Sequence, residues 1–193
     1  MTAVEPSPVL IANARSLART LLCRDLPERW LHTQGVANRA AELAATVLVQ
    51  DRPVLIAAAW LHDIGYAFAL QETGFHPLDG ALYLQSQGWD ERLVGLVGHH
   101  SGARFVPVER TFASVMTEFD FEDGPVSDAL TYADQTVGRH GRRMTVPYRV
   151  VEALTRHGLD SPNGRVQGDR IRYLLAVADR VERRLEAGPI TGE

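Results

Sequence analysis

Apolar positions recur along the chain at intervals of three and four residues, and no stretch sustains the apolar/polar alternation of a strand. Leu10, Ala14, Leu17 and Leu21 predict a first helix over about Pro8 to Cys23, ended by Asp25 and Pro27. A second is predicted from about Pro27 to Val49, with Val36, Ala40, Leu43 and Val47 as its inward stripe. The run from Val54 to Leu61 is too apolar for a surface helix and too short to cross a membrane, so it reads as a core helix, with Gly65 as a helix C-cap shortly after it. Further helices are predicted from Pro77 to near Gly88, from Asp90 to Gly98, from Pro125 through Val137, from Pro147 to His157 and from Pro162 to Glu186. Loops are expected over Tyr66 to Phe75, over the acidic stretch Thr117 to Gly124, and over Arg139 to Arg143. No internal repeat or long linker interrupts this pattern. The expected fold is all-α, in one domain spanning 1–193, with a core of about 29–137 on which the helices of 147–186 pack.

Against that apolar background, a few polar residues fall where they need a reason. His62-Asp63 ends the core helix, and an imidazole and a carboxylate are costly to bury without hydrogen-bond partners or a metal. His32 lies one turn before Val36 on the inward stripe of the second helix. His76 stands just before Pro77, and His99-His100 close a helix before the turn signal Ser101-Gly102. For that last pair a surface role, stabilised by the helix dipole, is the simpler alternative. Asp134 is set between Leu130 and Val137 on an apolar face. Together, His32, His62, Asp63, His76, one of His99 or His100, and Asp134 form a donor set suited to Fe, Mn, Zn or Co rather than to a hard-oxygen Mg or Ca site. Six such ligands are too many for one catalytic ion that keeps open positions, and they suit two ions sharing a carboxylate. Such a pair supplies a metal-activated hydroxide at neutral pH and holds a phosphoryl group in transfer.

Composition narrows the partners. The chain has 193 residues, 45% of them hydrophobic and 23% charged, ordinary values for a soluble globular protein. A net charge of -4 gives no general attraction to nucleic acid, so no DNA binding is expected. All 20 basic residues are arginine, which weakens any single arginine as a phosphate signal. Cys23 stands alone, and with no basic-then-apolar leader and no segment near ~20 apolar residues, the expectation is a cytoplasmic protein without membrane contact.

At His32, His62-Asp63 and Asp134 the chain resembles the HD-domain superfamily of helical metal-dependent phosphohydrolases, whose signature is a histidine, a His-Asp pair and a distant aspartate. His76-Pro-Leu-Asp-Gly-Ala, His99-His100-Ser-Gly and Tyr132-Ala133-Asp134 are similar to elements of the dinuclear bacterial hydrolases that split dinucleoside tetraphosphates. The resemblance implies that Asp63 bridges two divalent transition-metal ions, that His32, His62 and Asp134 complete one site, and that His76 and His99 complete the other, with His99 preferred because it aligns when the downstream glycine is Gly102. It also implies a small phosphorylated substrate, such as a nucleotide, and leaves room for a homodimer. The loop between Asp63 and His76 is shorter than in the tetraphosphate hydrolases. Around this centre, Asp63 and Glu72 are the candidate catalytic residues, Glu72 as a general acid if burial raises its pKa. His100, Arg104, Arg139 and Arg142 are candidate substrate contacts, the arginines through their planar forks. The three tryptophans are expected in the core. The competing reading is a mixed-valent di-iron HD-domain oxygenase that cleaves a C-C or C-P bond.

Overall fold

The computed structural model describes residues 7–106, 114–149, 151 and 167–188. Among them the chain is helical and forms no strand, so the all-α expectation holds. The main elements are α1 (Ser7–Leu22), α2 (Pro27–Glu42), α3 (Arg52–Leu61), α4 (His76–Ser86), α5 (Glu91–His99), α6 (Pro125–Gln135) and α7 (Gln167–Ala187), with two 3-10 turns between α2 and α3, two between α3 and α4, and one after α5. Prolines stand in the first turn of α2, α3, α4 and α6, where the missing N–H costs nothing. Asp90 caps α5 by accepting from the Arg92 amide at 3.0 Å.

The apolar helix α3 is the axle of the bundle. Its Leu55, Ala57, Ala58, Ala59 and Leu61 have no exposure at all, because α1, α2, α5 and α6 surround it. Small residues at three successive positions let those neighbours approach closely. α4 packs on α5 and on the 3-10 turn Ile64–Tyr66 that follows α3, and α7 lies along α6. Asp128 of α6 is buried and takes Arg180 at 2.5 Å and Arg184 at 2.7 Å, both from α7. Trp30 and Trp60 stack at 5.5 Å against the core, as expected of them.

Two expectations differ from the structure. The helix expected to reach Val49 ends at Glu42 and tightens into a 3-10 turn over Leu43–Thr46. The Thr46 hydroxyl donates to the Leu43 carbonyl at 2.7 Å, and Val47 is extended, so a side chain competes there with the helical ladder. Gly65 is no left-handed cap, since it is absent from the positive-φ residues. It is required for another reason: a Cβ there would lie 2.0 Å from the His76 carbonyl oxygen and 2.7 Å from the Gly80 amide. The helices expected over Pro147 to His157 and from Pro162 fall partly outside the described residues, where α7 enters at Gln167.

Candidate metal centre

The centre lies where α2, α4, α6 and the ends of α3 and α5 converge. Asp63 follows the last turn of α3 and offers one oxygen to each side. Its Oδ2 lies 3.5 Å from His32 Nε2 and 3.2 Å from His62 Nε2. Its Oδ1 lies 3.4 Å from His76 Nε2 and 3.8 Å from His100 Nε2. Asp134, from α6, joins the first group, with Oδ1 at 3.0 Å from His32 and 3.9 Å from His62. Two triads, His32/His62/Asp63 and Asp63/His76/His100, therefore each hold their ligand atoms within 4.8 Å of one another and share Asp63.

Backbone carbonyls aim the imidazoles. His32 Nδ1 donates to Gly138 at 3.1 Å, His62 Nδ1 to Ala59 at 2.8 Å and His100 Nδ1 to Val97 at 2.6 Å. Each donation orients its ring and turns Nε2 towards the carboxylates, where His32 Nε2 also donates to Asp134 Oδ1 at 3.0 Å. His76 is oriented instead by stacking on Tyr66 at 4.0 Å. Ser101 and Gln135 steady the other oxygen of Asp134, Gln135 from 2.9 Å and Ser101 by a short hydrogen bond.

The protonation states follow from burial and charge. Burial pushes both His76 and His100 below the ordinary histidine value, His76 well below, so at neutral pH they are uncharged. Burial opposes ionisation of Asp63 and Asp134, but the Arg29 guanidinium and His62 hold Asp63, and His32 and His62 hold Asp134, well under the usual carboxylate range. Burial also works against charge on His62, yet Asp63 and Asp134 lift it above its usual value.

This donor set fits metal ions on its own geometry. His62 Nε2 is fully buried and makes no hydrogen bond, although Asp63 is near. On the other side of Asp63, the uncharged rings of His76 and His100 both turn Nε2 to Oδ1. A cation on each side of Asp63 would satisfy these atoms, and imidazole with carboxylate suits the first-row transition ions.

Several expected site residues lie elsewhere or in a different role. His100, not His99, enters the second triad. α5 ends at His99, and the His100 ring, held by the Val97 carbonyl, turns its Nε2 to Asp63. His99 points away and its Nε2 donates to the Phe119 carbonyl at 2.9 Å. Glu72 is exposed and lacks the burial a general acid there would need. Arg104 lies over the rings of Phe121, Phe105 and Tyr173 at 4.1, 4.9 and 5.0 Å, an aromatic stack and not a contact of the triads. Arg139 is exposed and ion-paired with Glu28, and Arg142 is exposed on the same loop.

Two arginines that the sequence reading passed over touch the centre. Arg29 Nη1 donates to Asp63 Oδ2 at 2.7 Å, while its guanidinium lies 4.0 Å over the Tyr66 ring. Arg170 Nε donates to the Ser101 carbonyl at 3.0 Å. Their helical positions carried the signal: Arg29 is one turn before His32, and Arg170 one turn before the inward Leu174.

The fold and the paired triads define a helical protein with a buried His/Asp metal-type centre. The chain belongs to the HD-domain family, whose family model, described as HD domain, matches residues 29–184. No curated protein and no solved structure matches the chain.

Proposed function

We propose that the protein is a phosphohydrolase that uses two divalent transition-metal ions to hydrolyse a small phosphate ester, with nucleotides as the leading substrate class. The observation that carries this reading is the division of Asp63, whose two oxygens each face a separate pair of imidazole nitrogens. A carboxylate so placed would hold an ion on each side, and a pair of ions is suited to the negative charge of a phosphoryl group. Family membership supports metal-dependent hydrolysis as the activity. When bound, the ions would supply Lewis acidity towards phosphoryl oxygens and an acidified water. His32, His62 and Asp134 would hold one, and His76 and His100 the other. The chain's own contribution is orientation: carbonyls of Gly138, Ala59 and Val97 lock three rings, and Arg29 keeps Asp63 ionised.

The test is hydrolysis of nucleoside monophosphates, dinucleoside polyphosphates and sugar phosphates by protein loaded in turn with manganese, cobalt, zinc and iron. Release of phosphate from the monoesters, or of nucleotides from the dinucleoside polyphosphates, with any of these ions and lost in Asp63→Asn, supports the reading. Oxygen consumption with iron alone, and no hydrolysis of any of these substrates with any ion, would replace it with the oxygenase. No described helix is long and apolar enough to cross a membrane.

A further inference from the structure

The two triads take no residue from α7, yet α7 reaches the centre. Arg170 sits in the first turns of α7 and reaches the Ser101 carbonyl at 3.0 Å. Ser101 is the knuckle next to His100. It is buried, holds a left-handed conformation (φ 53°, ψ 31°), and puts its hydroxyl on Asp134 Oδ2. A non-glycine residue seldom adopts that conformation, and here it allows one residue to present its carbonyl to Arg170 while its side chain steadies Asp134. Arg170 is thus one residue removed from the centre on the Asp134 side. Arg29 is attached to the centre at the shared carboxylate, Asp63.

Tyr66 connects these groups. Arg29 lies flat on its ring, and the charges of Arg149 and Arg170 interact with it as well. Asp134 acts on Arg170, and Asp63 together with Asp134 acts on Arg29, which Asp63 also hydrogen-bonds. Both carboxylates are also metal-type ligands. Once they are committed to cations, Arg29, whose side chain is only 26% exposed, and Arg170, half-buried, lose their counter-charge. Leaving partly buried guanidiniums without one is costly, so the loaded site calls for an anion from outside.

We infer that Arg170, carried on α7 and aimed by Ser101, holds a second phosphate group of the substrate, apart from the phosphoryl group that reacts beside Asp63. The substrate class is then a molecule with two or more phosphates, such as a nucleoside diphosphate or a dinucleotide, and Arg170 is its specificity determinant. The planar guanidinium fork suits phosphate, and a residue on the Asp134 side, at one remove from the shared carboxylate, suits a group that is bound but not cleaved. This inference rests on the phosphohydrolase reading for the identity of the reacting group.

The experiment is calorimetric titration of the manganese-loaded full-length protein with methylenediphosphonate and with methylphosphonate, neither of which is hydrolysed, in wild type, Arg170→Gln and Arg170→Lys. Metal content is measured on the same samples. The expected result is a loss of tenfold or more in affinity for the diphosphonate in Arg170→Gln, less than a twofold change for the monophosphonate, partial recovery in Arg170→Lys and unchanged metal content. Equal affinities of wild type and Arg170→Gln for the diphosphonate would overturn the inference, and so would an equal loss for both ligands. The two readings fail separately. A selective loss for the diphosphonate in a protein that hydrolyses no phosphate ester would retire the phosphohydrolase and keep the anion site. Hydrolysis with no selective loss would do the reverse.

Discussion

The Nε2 atoms of His76 and His100 stand 3.4 Å apart, and both face Asp63 Oδ1. Burial keeps both rings uncharged, and His100 gives its one ring proton to the Val97 carbonyl, so its Nε2 can only accept. Two neutral imidazoles converging on one carboxylate oxygen describe a cation site. Elemental analysis of protein purified without chelator should therefore find about two transition-metal ions per chain. His76→Ala and His100→Ala should each bring that towards one, while His99→Ala, whose ring faces Phe119, should leave it at two. A loss in His99→Ala equal to that in His100→Ala would contradict the geometry.

The histidines of the metal-free centre titrate in opposite senses, and that sets a pH profile. His76 and His100 are depressed below about 6.5, the value they take when unfolded, so the unfolded chain binds more protons and stability falls as pH drops below that value. His62 is raised, so its contribution is full below about 6.5 and is lost as pH climbs through its folded value. Asp63 and Asp134, held low, add stability that disappears only in stronger acid. Denaturant midpoints of chelator-treated protein should peak near pH ~6.5, each limb having a slope of about 1.4 kcal/mol per pH unit per net proton. His76→Asn should flatten the acid limb and His62→Gln the alkaline one. A monotonic profile from pH 5 to 8 would count against these assignments.

Gly65 is where the turn after α3 meets the start of α4. A methyl group there would collide with the backbone at His76 and Gly80, and backbone cannot swing aside as a flexible side chain can. Gly65→Ala should cost about 1–3 kcal/mol, read from urea unfolding. It should also weaken binding of the second ion more than the first, because α4 must shift and His76 shifts with it. Equal weakening of both ions would point to general loosening instead.

Asp128 fastens α7 to the rest of the bundle. Its side chain is 3% exposed and faces Arg180 and Arg184, which are 40% and 22% exposed and so partly screened by water. Asp128→Ala should destabilise the fold by about 1–3 kcal/mol, less than a fully buried pair would lose. Thermal unfolding would measure this. Metal content should be retained, since the residues of the two triads lie outside α7.

The periodicity located the helices well, because each buries one stripe against α3 or its neighbours, and it placed His32, His62, Asp63, His76 and Asp134 at inward positions or helix ends. The choice between His99 and His100 could not be made that way. It depends on the carbonyl that each ring meets at the end of α5, Val97 for His100 beside Asp63 and Phe119 for His99 away from it. Arg29 and Arg170 were on the correct helical faces, yet in a chain whose every basic residue is arginine no composition signal set them apart. Gly65 was read as a cap because sequence shows where a glycine stands, and not what backbone passes 2.0 Å from the place of its missing Cβ.

The partners of the centre lie far apart along the chain, His32 and Asp134 being separated by 102 residues. Ions held there would act as reversible cross-links that close long loops, much as disulfides do in secreted domains, but with a bond strength set by metal supply. A ligand present at a thousand times its dissociation constant adds about 4 kcal/mol to folding, a large part of what a small domain possesses. Metal scarcity would then act on the abundance of this protein as well as on its turnover, since chains that lack their ions would unfold more often and be cleared by proteolysis.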